Sequence, residues 1–234
     1  MEFNFIYTAL VFLIAIVYPI YAILMGGKDK EFLLNNPEKK VHAYKTTALI
    51  QVVLCFIILV GLIYNNDGLS LIGLSFITNL LWMTALIISV FIGFWIINKM
   101  KIPVSKRESL KPKFDDVIYI IPTTLREYKW AIIISVIVGT LEEIIFRGFL
   151  FWQLNHHMHF IIAIITTNVI FGLCHYGTGL KNALNTLYLG TFCSVLYMVT
   201  DSLWLPIFVH ILVDIHASTL SKKIFIDDKK SESL

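Results

Sequence analysis

Charge is scarce in this chain: Asp, Glu, Lys and Arg make up 15% of its 234 residues, while 57% are hydrophobic and the mean hydropathy is +0.77. That balance excludes an ordinary soluble domain, in which roughly a quarter of residues are charged. Cysteine is nearly absent. Cys55, Cys174 and Cys193 fall in separate apolar runs with no paired spacing, which argues against a disulfide framework. There is no internal repeat, no low-complexity stretch, and no His-Glu-x-x-His run, so the common zinc-protease arrangement is excluded. No Lys or Arg precedes the first apolar run, and Met25-Gly26-Gly27 leads straight into Lys28 without a small-residue cleavage signature. We therefore read that run as a retained helix rather than a secretory signal. Aromatics are not interleaved with the basic residues of the connections, which excludes a nucleic-acid surface.

What the chain has in abundance is long apolar runs. Residues 3–27, 46–66, 68–98, 130–152, 159–177, 182–200 and 202–221 are each about long enough to cross a hydrocarbon core as a helix, which needs roughly 20 residues. The expected fold is all-α, a polytopic bundle of seven spans. Every Lys and Arg except Arg147 then falls on one side of the membrane, in the connections after the first, third, fifth and seventh runs. By the positive-inside rule the N-terminus lies outside and the C-terminus in the cytoplasm. Anionic lipid headgroups are the simplest partner for these connections. We divide the chain into three N-terminal spans (1–98), a basic connection (99–129), a four-span core (130–221) and a tail (222–234), all in one membrane domain. Within the connection, the apolar stretch 117–121 before Pro122 suits a short interfacial helix or an ordinary loop.

The informative residues are polar ones inside apolar runs. Glu142, Glu143 and Arg147 occupy three of six consecutive positions in the fourth run. Placing one such group near a bilayer centre costs roughly 2.5–3.5 kcal/mol, so this clustering implies a use inside the protein. On a helix Glu143 reaches Arg147 one turn later, giving a compensated pair. Glu142 is rotated by about 100° and has no partner on its own helix. Such a carboxylate suits proton abstraction from water, and Glu142 is the candidate general base. Phe171 and His175, four apart, place an aromatic wall beside an imidazole; Asn168 lies two turns before His175 on the same face. His210 and Asp214 repeat the spacing in the last run. Two histidines from separate helices and one carboxylate form a ligand set for a catalytic zinc, with His175 and His210 as the ligands. Without metal, the same histidines could stabilise an oxyanion while Glu142 activates water. His156, His157 and His159 fall in a connection and read as a solvated loop.

Taken in order, Glu-Glu-x-x-x-Arg (Glu142, Glu143, Arg147), Phe-x-x-x-His (Phe171, His175) and His-x-x-x-Asp (His210, Asp214) resemble the motifs of the CAAX prenyl protease and bacteriocin-processing family of intramembrane endopeptidases. The resemblance covers about residues 130–220; the first three runs share only their hydrophobicity. It implies that Glu142 activates the attacking water and that His175 and His210 bind a metal or the oxyanion. Asp214 stands where many members carry Asn, and brings a negative charge that Asn would not. The family includes enzymes that trim prenylated proteins and bacterial proteins tied to pheromone maturation or bacteriocin immunity. The resemblance thus implies a multi-pass protein, of the bacterial cell membrane if it follows that branch, acting on a membrane-associated protein or peptide, with or without a lipid.

Two other functions fit the same residues. A catalytically silent immunity or scaffolding protein would keep the polar site and act by binding. A proton-coupled transporter also uses buried carboxylates and histidines, but such proteins more often show the inverted repeats that are absent here. One geometric demand follows from a shared site. Glu142 lies about 18 Å along its helix from Trp130, whereas His175 is close to the cytoplasmic end of its own run, and the two must meet.

Overall fold

The computed structural model describes residues 5–75 and 79–227. The start of the first apolar run, residues 76–78 of the third and the tail from 228 onward, with Lys229 and Lys230, lie outside the described residues. The chain is all-α, and no strand occurs among the described residues. Helix α1 spans Phe5–Asn35, α2 Pro37–Tyr64, α3 Leu80–Lys99, α4 Val104–Leu110, α5 residues 125–155, α6 Phe160–Cys174, α7 Leu180–Thr200 and α8 Trp204–Phe225.

Among the described residues, five helices are long and apolar enough to cross a membrane: α1, α2, α3, α7 and α8. Helix α6 is apolar but shorter, with 15 residues, and α5 carries the buried charges. Large apolar side chains point outward all along the first three helices, among them Phe12, Ile16, Leu24, Phe56, Ile63, Phe91 and Trp95. In water such faces would be an aggregation hazard; in lipid they are the ordinary outer surface. Inside, Ile14, Ile58, Leu62, Ile72, Phe146, Phe149 and Phe171 form the centre of one core that joins α1 and α2 to α5 and α6. The two halves of the chain thus make a single packed unit.

Local sequence explains where the helices start and stop. Thr124 accepts the N–H of Glu127, while Glu127 reaches back to the N–H of Thr123, so α5 opens on reciprocal capping five residues before Trp130. Helix α1 widens into a π turn over Leu13–Val17, just before Pro19, whose ring and missing N–H disrupt the regular ladder. The third apolar run does not begin its helix at Gly68. Leu69–Ile72 makes one tight turn, the Gly73 carbonyl accepts the N–H of Leu203, and α3 starts only at Leu80, capped by the Asn79 side chain. Residues 117–121 form turns rather than a helix. They are fastened by buried Lys40, whose ammonium donates to the carbonyls of Ile118 (3.0 Å) and Ile121 (2.9 Å) and pairs with Glu127 (3.3 Å).

Candidate active site

Four helices and one turn converge on Glu142. Helix α5 winds as a π-helix over Glu143–Leu150, a rare geometry that recurs at functional sites. Glu142, Glu143 and Arg147 are all buried at or beside this stretch. Arg147 Nη1 donates to Glu143 Oε1 at 3.0 Å, the pair expected from their spacing. The guanidinium also lies 4.1 Å from the Phe171 ring centroid, and its Nη2 faces Asn168 Oδ1 at 3.4 Å.

Glu143 holds more than the arginine. The same Oε1 accepts the Nδ1–H of His210 at 2.7 Å. A carboxylate oxygen can only accept when ionised, so the proton sits on Nδ1 and the other ring nitrogen is aimed elsewhere. That nitrogen, Nε2, faces Glu142 Oε2 at 3.6 Å and Asp214 Oδ2 at 3.9 Å. His175 is oriented in the same way by a different partner: its Nδ1 donates to the Phe171 carbonyl at 2.9 Å, and its Nε2 faces Glu142 Oε1 at 3.9 Å. Both imidazoles therefore present Nε2 to one carboxylate. Phe171 stands behind them, fully buried, with its ring 4.9 Å from that of His175 and 6.1 Å from that of His210. Asn168 is buried as well, its amide donating to Ser194 Oγ at 3.0 Å. Phe171 and Asn168 thus back the site and steady Arg147.

His175 and Glu142 thus meet, as a shared site demands. α6 ends at Cys174, so His175 caps it, and the chain turns through Tyr176–Thr178 into α7. Gly179, at φ +105°, supplies a backbone conformation that residues with a Cβ rarely adopt. The turn is seated against α1 by contact between Gly26 and Gly177 so close that a Cβ on Gly26 would lie 2.1 Å from the Gly177 Cα. Gly26 lies at the end of the first apolar run, just before Lys28. The side chains then form a gradient: Asp214 and His175 are 34% and 27% exposed, Glu142 and His210 only 7% and 5%. The buried carboxylate thus lies beside the more exposed His175 and Asp214.

One buried polar neighbour was not anticipated from the sequence. Gln51, in the middle of α2, donates from Nε2 to Glu142 Oε1 at 2.8 Å, and the hydroxyl of Tyr18 lies beside both. A single Gln in a long apolar run was the available signal. His156, His157 and His159 lie far from this cluster in sequence and are exposed; His156 bonds to the Trp152 carbonyl and His159 caps α6.

Histidines with Nδ1 held by an acceptor and Nε2 free are oriented as metal ligands usually are. Among the described residues, however, no group of three His, Cys, Asp or Glu side chains is arranged to hold a metal ion. The residues as placed do not fit a zinc ion.

Fold and site together define an all-α membrane bundle with a buried carboxylate, two imidazoles and a compensated Glu–Arg pair in its interior. Residues 124–216 match the model of the family described as "Type II CAAX prenyl endopeptidase Rce1-like", and over that length the chain is similar to it. The chain is also 40% identical over 84 residues to the "Putative membrane peptidase YdiL" of Bacillus subtilis (strain 168), an alignment covering 36% of this chain and 34% of that protein. The match therefore spans about a third of the length of this curated relative. No solved structure matches the chain.

Proposed function

We propose that the protein is an intramembrane endopeptidase that hydrolyses a peptide bond in a membrane-associated protein or peptide. The observation that carries this reading is the directed geometry: two imidazoles, each with Nδ1 occupied by an acceptor, aim Nε2 at the two oxygens of one buried carboxylate. Glu142 takes a proton from a water, whose oxygen attacks the scissile carbonyl carbon; Glu142 then passes that proton to the departing amine nitrogen. As imidazolium, His210 presents an Nε2–H to the oxyanion, and its charge is compensated by Glu143 and Asp214 beside it. His175, at the rim, is placed to share that role. The substrate approaches from the cytoplasmic side, past His175 and Asp214, under the topology in which α1, α2, α3, α5, α6, α7 and α8 all cross and the N-terminus is outside. A bacterial cell membrane is the proposed location, and a lipidated peptide is one substrate class to be tried.

The test is cleavage by purified protein in liposomes, with prenylated and unprenylated peptides, comparing wild type with Glu142→Gln and His175→Ala, each with and without a chelator. The proposal expects cleavage in wild type only and no effect of the chelator. Chelator-sensitive cleavage would replace the metal-free scheme with a metal-dependent one. Full activity of Glu142→Gln would refute the assignment of the base, and protection or partner binding that survives in Glu142→Gln without any cleavage would favour the scaffold reading.

A further inference from the structure

We infer that Gln51 is a positioning residue for the base: it fixes the Glu142 carboxylate and reserves one of its oxygens for water. The inference rests on the reading of Glu142 as general base. It extends that reading to α2, outside residues 124–216, where the family model matches. Gln51 is 3% exposed and lies among Leu49, Ile50, Val52, Val53 and Leu54. A primary amide there is costly to bury unless it is hydrogen-bonded, and the bond it makes is to Glu142 Oε1 at 2.8 Å.

The two oxygens of Glu142 are consequently unlike. Oε1 accepts from Gln51 within ordinary hydrogen-bond distance and faces His175 Nε2 at 3.9 Å. Oε2 faces His210 Nε2 at 3.6 Å, and no described group comes within hydrogen-bond distance of it. A bond to a charged acceptor is stronger and more directional than a neutral one, so it holds the carboxylate in one rotamer. Oε2 is left facing His210 Nε2, which also faces Asp214 Oδ2 at 3.9 Å, and it is there that a water would be deprotonated. A misplacement of even 1 Å at such a site costs about a hundredfold in rate.

A purely structural role for Gln51, joining α2 to α5, would alter stability and leave turnover per folded molecule unchanged. The experiment is steady-state peptide cleavage, with thermal unfolding followed in parallel, for wild type, Gln51→Met, which keeps length and removes the donor, and Gln51→Asn, which keeps the amide but draws it back by one methylene. We expect kcat to fall by about tenfold or more in Gln51→Met, with KM within about twofold of wild type. Gln51→Asn should lie between the two, and it carries the same comparison if Gln51→Met does not fold. A kcat within twofold of wild type in a folded variant would overturn the inference, as would a loss confined to KM or to unfolding temperature. Glu142→Gln is run alongside: if it alone abolishes cleavage, the base stands and Gln51 does not; if it cleaves normally, both fall.

Discussion

The Glu143–Arg147 pair offers a way to separate what stabilises the fold from what serves the chemistry. Both side chains are essentially inaccessible, at 0% and 1%. Arg147→Met removes the cation and leaves Glu143 buried with only His210 for compensation. Breaking a buried pair from one side costs about 3–5 kcal/mol, which for a chain of this size is a fall of roughly 6–20 °C in unfolding temperature. Removing both charges is a different perturbation, since apolar replacements of similar volume are often neutral or stabilising. The double variant Glu143→Leu/Arg147→Met should therefore unfold at a higher temperature than Arg147→Met. Its activity should not recover. Without Glu143, Nδ1 of His210 has lost the acceptor at 2.7 Å that fixes its tautomer and ring orientation, and loss of such an orienting partner costs about 10–100-fold. Tryptophan fluorescence of the detergent-solubilised protein reads stability, and peptide cleavage reads activity. A double variant that is both as unstable as Arg147→Met and as active as wild type would refute both halves of the reasoning.

Other expectations follow from close contacts. Gly26→Ala drives a Cβ into the backbone at Gly177 and displaces the turn that carries His175, so cleavage should fall at least about tenfold; the neighbouring Gly27→Ala, with nothing within 4 Å, is the matched control and should be neutral. At Gly190 an added Cβ would lie 2.3 Å from Arg147 Nη2 and 2.8 Å from Asn168 Oδ1, so Gly190→Ala should lower unfolding temperature and activity together, by shifting the groups behind His210. Lys40→Met leaves Glu127 without its cation and residues 117–121 without their fastening; a loss of about 3–5 kcal/mol is expected, seen as faster proteolysis of that segment with the family's motif residues untouched.

Much of this was legible in the sequence, for a physical reason: in lipid-facing helices a charged residue is conspicuous. Glu142, Glu143 and Arg147 stand out because nothing apolar explains them, and the i, i+4 spacing alone places Arg147 on Glu143. His175 and His210 were brought to the site by the same logic, since an imidazole in an apolar run needs a partner. Partners across helices were less legible. Spacing along one helix does not say that His210 bonds to Glu143 and faces Glu142, or that His175 is aimed by a backbone carbonyl. Gln51 was overlooked because an uncharged amide is a weak signal, and because the first three spans look like anchors when only the motifs are followed. Helix ends were the least legible: an apolar run sets where a helix can extend, while Gly73, Asn79 and Gly179 decide where it does.

The short sixth helix connects these points into one argument about access. A hydrolase inside a bilayer must bring water and a polar peptide bond to residues that apolar helices surround. If α6 had run to the end of its apolar stretch, His175 would have stood on an intact helical face. Ending at Cys174 instead, the chain opens a turn held against α1 through Gly26 and Gly177, and His175 is left partly exposed on its edge. Glu142 and His210, almost closed off, remain within 4 Å of side chains that are not. Low exposure at the base keeps its electrostatic interactions strong, and the exposed rim gives a route for water. The same turn explains why the N-terminal helices are part of the site: α1 seats the histidine, and α2 holds the carboxylate that the histidine faces.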